Sequence, residues 1–156
     1  MEETQRILEL LEQKKALFIR FERHTEEMLT CPAEELEELV ARREQLITQI
    51  DALDRAVRDA AAGSPLAPDI LRAVRNQGDR GDLPREVLPL YDAAAGIRTV
   101  ACRLMETEAQ ASVRLRLEQE RILELIKSAN RGAEGQAARF LSTGDRDPRP
   151  ASIAKA

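Results

Sequence analysis

Side chains that could act as nucleophiles, general bases or metal ligands are few and widely spaced in this sequence. The chain has one histidine, His24, and two cysteines, Cys31 and Cys102. A histidine base needs a nucleophile within reach and a third group to orient it, and a structural zinc site needs four closely spaced Cys or His ligands. No such partners accompany His24. We therefore predict no catalytic residues, no metal ligands and no cofactor, and we expect that the protein is not an enzyme.

Two other patterns have structural interpretations. The acidic run Glu34-Glu35-Leu36-Glu37-Glu38 follows a proline, and carboxylates near a helix start are favoured by the helix dipole. We interpret the run as a helix start with a solvated face; the alternative is an acidic patch for a basic partner. The tripeptide Arg80-Gly81-Asp82 is read by adhesion receptors only in extracellular proteins, so we expect no such role here.

The composition favours long helices. Hydrophobic residues make up 43 % of the 156 residues, but aromatic residues make up only 3 % and there is no tryptophan. Abundant Ala, Leu, Arg and Glu are typical of long helices that pack along narrow seams. We predict one helical domain over residues 1–141 and a flexible tail over residues 142–156, which are rich in charge and proline.

Charge and location signals favour a cytoplasmic protein that binds no nucleic acid. The formal net charge is −4, and residues 1–62 hold 15 acidic and 9 basic side chains, so neither half is basic enough to follow a phosphate backbone. Residues 1–6 are polar and do not resemble a signal peptide, and no apolar run approaches the roughly 20 residues of a membrane span. We expect both cysteines to remain reduced and far apart.

Apolar spacing predicts a hairpin of two long helices. Residues 2–30 contain no proline or glycine, Cys31-Pro32 then breaks the helix, and a second helix runs to about Ala62. In both helices, alternating steps of four and three residues mark a coiled-coil seam, heptad positions a and d. A connection this short makes the helices antiparallel. The seam positions are Ile7, Leu11, Lys14, Phe18, Phe21, Thr25 and Met28 in the first helix, and Leu36, Leu39, Arg43, Leu46, Ile50, Leu53 and Val57 in the second.

A third long helix is predicted from about Pro89 to Asn130, after a linker with a short helix near Asp69–Arg75. Its heptad step continues without a slip from Val87 to Ala129. The predicted fold is therefore all-α: an antiparallel coiled-coil-like bundle of three long helices with a short linker helix and a flexible C-terminal tail.

The length of the third helix indicates where a partner would bind. This helix should run back along the hairpin, reach the Cys31-Pro32 turn near Arg116 to Gln119, and continue beyond it. Apolar residues that outrun their partners need another covering, which we interpret as a docking helix for a protein client or for a second copy of the chain. The alternative is that the linker shifts the register or that the chain folds back. The candidate partner-binding residues are Ile122, Leu123, Leu125, Ile126, Phe140 and Leu141.

The pattern resembles the FlgN-type flagellar export chaperones. The resemblance covers about residues 5–141 and lies in a Glu-rich first helix, a short break, the run from Ala33 to Leu46, and the long third helix ending in the run from Arg116 to Leu123. It implies a cytoplasmic chaperone, without catalysis or cofactor, whose C-terminal helix captures hook–filament junction proteins before secretion. Contact with an export gate through a C-terminal aromatic would fall to Phe140. The alternative function is a structural coiled-coil scaffold or a regulatory adaptor that self-associates.

Overall fold

The computed structural model describes residues 2–146, with side chains through residue 141. This range contains the helices α1 (Glu2–Thr30), α2 (Leu36–Ala62), α3 (Ala67–Val74) and α4 (Leu88–Arg146), with short 3-10 turns at Ala33–Glu35, Arg80–Asp82 and Arg85–Val87. No strand occurs among the described residues. The predicted all-α fold of three long helices and a short linker helix is confirmed. The chain divides into a first unit that ends at Arg114 and a second unit that begins at Leu115.

The core of the first unit consists of three apolar clusters along the predicted seam. Each cluster takes residues from α1, α2 and α4. In order they include Ile7 with Val57 and Leu90, then Phe21 with Leu46 and Leu104, then Met28 with Leu36 and Ala111. Residue numbers rise along α1 and α4 while they fall along α2, so in this unit α4 runs parallel to α1 and antiparallel to α2. The short helix α3 closes the first cluster with Ile70 and Ala73.

Polar residues at predicted seam positions form hydrogen bonds or ion pairs. Thr25 is fully buried, and its hydroxyl donates to the carbonyl oxygen of Phe21 at 2.8 Å. The Lys14 ammonium lies 2.7 Å from the Asp54 carboxylate. Arg43 donates to Glu108 of α4, and its guanidinium lies 4.6 Å from the centre of the Phe21 ring. These long side chains therefore bridge helices across the seam rather than interrupt it.

Two arginines of α4 attach it to α1. Arg114 donates to the main-chain carbonyls of Met28, at 2.7 Å, and of Cys31. Met28 lies in the last turn of α1 and Cys31 directly follows the helix, so no further helical turn satisfies these carbonyls. About three turns earlier on α4, Arg103 donates to both carboxylate oxygens of Glu22, at 2.7 Å from Nη2 to Oε1. Together these bonds fix the register of the first part of α4 against α1.

Two sequence-based expectations about α4 need correction. The helix begins at Leu88 and reaches the hairpin turn at Arg114, slightly earlier than the expected Arg116 to Gln119. The helix also continues past Asn130 to Arg146, since two glycines that cost about 1 kcal/mol each do not outweigh the helix-forming residues around them. Of the predicted tail, residues 142–146 thus belong to α4, and residues 147–156 lie outside the described part of the chain.

Both cysteines are free thiols, as expected. Cys31 is buried at the hairpin turn, where it packs with Met28 and Leu36. Cys102 is exposed on α4.

Replacing Leu46 with aspartate tests the seam, with the next residue as a matched control. Leu46 is 3 % exposed and Ile47 is 46 % exposed. Leu46→Asp places a carboxylate without a partner among Phe21 and Leu104, and we expect it to lower the free energy of unfolding by about 3 kcal/mol. Ile47→Asp should change it by no more than about 0.5 kcal/mol. Urea denaturation measures both, and equal effects would mean that the seam is misplaced.

The ion pair between Glu22 and Arg103 predicts a dependence on pH. Hydrogen bonds from Arg103 hold the pKa of the Glu22 carboxyl below its ordinary value of 4.5, against the opposing effect of burial. A carboxyl whose pKa is lowered on folding stabilises the fold above its ordinary pKa, and this contribution is lost as the pH falls through the lowered value. The stability gap between the parent chain and Glu22→Gln should therefore be constant near pH 7 and shrink below about pH 4.5.

Urea denaturation at several pH values measures this gap. Glu12→Gln, which removes a carboxylate from an exposed position of the same helix, is the control for the general effect of charge. A gap that grows as the pH falls would contradict the assignment of the ion pair.

Candidate partner-binding surface

His24, the one histidine of the sequence, lies in a partly enclosed position on α1. The His24 side chain is 17 % exposed and lies 3.9 Å from the Glu27 carboxylate, so it is more enclosed than a solvated helix-face histidine. It lines a pocket of about 240 Å³ with Arg20, Arg42 and Gln49 among other residues, and no cysteine or hydroxyl nucleophile lines that pocket. Among the described residues, no group of three or more His, Cys, Asp or Glu side chains could hold a metal ion.

The tripeptide Arg80-Gly81-Asp82 is part of the linker architecture. The Arg80 guanidinium pairs with both carboxylate oxygens of Asp92, at 2.9 and 3.0 Å. Asp79 caps the turn by accepting a hydrogen bond from the Gly81 amide. The arginine therefore ties the linker to the start of α4.

No helix within residues 2–146 is both long enough and apolar enough to cross a membrane.

The six candidate residues all lie in the second unit, and all are exposed. Every described side chain from residue 119 to residue 141 is exposed. The exposed fractions are 50 % for Ile122, 54 % for Leu123, 57 % for Leu125, 51 % for Ile126, 77 % for Phe140 and 65 % for Leu141. Large apolar side chains are thus open to solvent over more than five turns of one helix.

Helix geometry brings most of the candidate residues onto one face. Ile122, Leu125 and Ile126 are spaced i, i+3, i+4 and therefore share a face. Phe140 returns to the direction of Ile122 after about five turns, roughly 27 Å along the axis. Ala129 and Ala133 lie on the same face between them. We call these residues the α4 stripe: Ile122, Leu125, Ile126, Ala129, Ala133 and Phe140.

Leu123 and Leu141 lie at the flank of the α4 stripe rather than within it. Each is one residue past a stripe member and so points about 100° away from it. The six candidates therefore form two apolar groups at the ends of a stripe with a small-residue middle. A partner that contacts the whole stripe must itself be extended along the helix axis.

Acidic and basic side chains nearly balance on the polar side of this helix. Residues 119–141 hold three acidic and four basic side chains, and several pair within the helix, as do Arg121 with Glu118 at 3.0 Å and Lys127 with Glu124 at 4.0 Å. Such exposed pairs contribute little to stability. Because no strong field surrounds the α4 stripe, recognition there depends on apolar contact rather than on charge.

Sequence reasoning missed other exposed apolar side chains. Met105 is 71 % exposed, and Val113 and Leu117 are about half exposed. Val113 and Leu117 fall outside the α4 stripe, by their phase on the helix, and Met105 precedes it by more than four turns. Scattered apolar side chains of this kind are ordinary on protein surfaces, and their off-seam phase in the sequence was the signal that could have identified them.

A shallow groove between α1 and α2 was also not predicted. It has a volume of about 490 Å³, and its walls include Ala16, Leu17, Ala52 and Leu53. Its apolar side chains are short or half-buried, whereas the α4 stripe includes Phe140, which is 77 % exposed.

Comparison with known proteins identifies no relative. No protein-family model, no curated protein and no solved structure matches this chain. Functional inference therefore depends on the residues and geometry described above.

Proposed function

We propose that this protein is a cytoplasmic chaperone of the flagellar secretion type, which captures hook–filament junction proteins along the C-terminal part of α4. The observation that carries the proposal is the exposure of Ile122, Leu125, Ile126 and Phe140 on one helical face. The assignment to flagellar export is supported by the resemblance of helix order and spacing to FlgN-type chaperones.

The geometry suits a client that presents an amphipathic helix or an unfolded apolar segment. Such partners bind an exposed helix through anchors at i, i+3, i+4 and i+7 spacing. Fully burying one Leu or Ile side chain contributes about 1.5–3 kcal/mol. Leu125 and Ile126 are each about half exposed, so burying the rest of both can supply about 1.5–3 kcal/mol of the roughly 8 kcal/mol of a micromolar interaction.

The division of the chain supports separate roles for folding and binding. In the first unit, seam residues such as Leu46 and Leu104 are buried, so that unit carries its own apolar core. The α4 stripe contributes no buried large side chain to the structure. Its residues are therefore free for a client, and Phe140 is the aromatic residue that could contact an export gate.

The double substitution Leu125→Ser with Ile126→Ser tests the proposal. We expect the free energy of unfolding to remain within about 1 kcal/mol of the parent value, since neither side chain is buried. Binding of a purified hook–filament junction protein, measured by isothermal titration calorimetry, should weaken tenfold or more because two apolar anchors are lost.

A matched control is available on the same helix. Glu124→Ser with Lys127→Ser introduces the same two serines, removes an exposed ion pair and leaves the net charge unchanged. It lies on the opposite side of α4 and should bind as the parent does.

Full binding by the Leu125/Ile126 variant would place the client surface elsewhere, and a Leu125/Ile126 variant that melts far below the parent would assign these residues to the core. A parent that binds no junction protein would favour the scaffold or adaptor function instead.

A further inference from the structure

The sizes of the side chains along the α4 stripe follow a symmetric order. Starting at Ile122, steps of four and three residues lead through Ile126, Ala129, Ala133 and Gln136 to Phe140. Large residues thus stand at both ends of the series and two alanines at its centre. All six side chains are exposed. Steps of four and three are the spacing with which one helix packs against another.

This order is self-complementary. If a second copy of the helix lies antiparallel and crosses between Ala129 and Ala133, each alanine faces the other alanine of the partner copy. In the same arrangement Ile122 faces Phe140, and Ile126 faces Gln136. Small residues at a crossing point let two helices approach closely, and larger residues fill the space where the helices diverge.

We propose that, without a client, the α4 stripe pairs with the α4 stripe of a second copy in a two-fold symmetric antiparallel dimer. Such an interface is isologous, because the same patch serves both copies. The paired positions contain no charged residue, so the contact buries no like charges; they are Ile122, Ile126, Ala129, Ala133, Gln136 and Phe140. Gln136 is the one polar residue among them and weakens the contact.

The size of the contact predicts reversible association. The paired segment from Ile122 to Phe140 is about 27 Å long, and one pair of helices of this length buries an area near the lower end of that of specific interfaces, roughly 1,000 Å² in total. A weak dimer of this kind conceals an apolar surface until a client displaces the second copy. The competition with a client rests on the proposed function, whereas the dimer itself does not.

Charge substitutions at the two central alanines test both the dimer and its orientation. The like-charge variant carries Ala129→Glu with Ala133→Glu, and the opposite-charge variant carries Ala129→Glu with Ala133→Lys. In the antiparallel dimer the introduced carboxylate of one copy faces the introduced ammonium of the other. In a parallel dimer each introduced group would face its own kind.

Analytical ultracentrifugation of the full chain over a wide concentration range measures the dissociation constant. We expect a reversible dimer for the parent, at least tenfold weaker dimerisation for the like-charge variant, and recovery for the opposite-charge variant. Circular dichroism should show similar helicity in all three chains, because both positions are exposed and an i, i+4 charge pair within one helix changes helix stability only slightly.

Two outcomes would overturn the proposal. One is a parent that stays monomeric up to about millimolar concentration; if that chain still captures the junction protein, the dimer fails while the proposed function stands. The other is an opposite-charge variant that dimerises no better than the like-charge variant, which would exclude the antiparallel pairing.

Discussion

Arg114 and the end of α1 set the register on which the first unit depends. Its guanidinium donates to the carbonyls of Met28 and Cys31, which the helix itself leaves unsatisfied. With that end fixed, Glu22 meets Arg103 and Arg43 meets Glu108. A shift of α4 by one turn, about 5.4 Å, would separate all of these partners at once, so the polar contacts specify a register that the apolar seam alone would define only weakly.

The apolar seam and the α4 stripe use the same side-chain chemistry for different purposes. In the first unit, alternating steps of four and three residues bury Ile7, Leu46 and Leu104 between helices. In the second unit, the same spacing leaves Ile122 and Leu125 open to solvent. Sequence spacing therefore identifies a face that requires a covering, and only the structure shows which part of that face is covered within the chain.

The seam of the fold was predictable from the sequence because heptad spacing depends on local periodicity. Even Thr25 and Arg43, polar residues at seam positions, were placed correctly. The partner of Arg43 was not predictable, since its contact with Glu108 joins residues far apart in the sequence. α4 extends beyond the predicted end at Asn130 because Gly132 and Gly135, which each lower helix stability by about 1 kcal/mol, stand among residues that favour a helix. For the candidate site, the apolar residues were identifiable, but their exposure and the separation of Leu123 from the α4 stripe required the helix geometry.

The central claim is that the α4 stripe is an open apolar surface while the seam is closed, and hydroxyl-radical footprinting with mass spectrometry tests it most directly. The experiment uses the full chain at a concentration below the dimer dissociation constant measured by ultracentrifugation, so that pairing of two copies does not cover the α4 stripe. The account predicts that Leu125 and Phe140 are oxidised much faster than buried residues of matching type, Leu90 and Phe21. Protection of Leu125 and Phe140 to the level of Leu90 and Phe21 would contradict it.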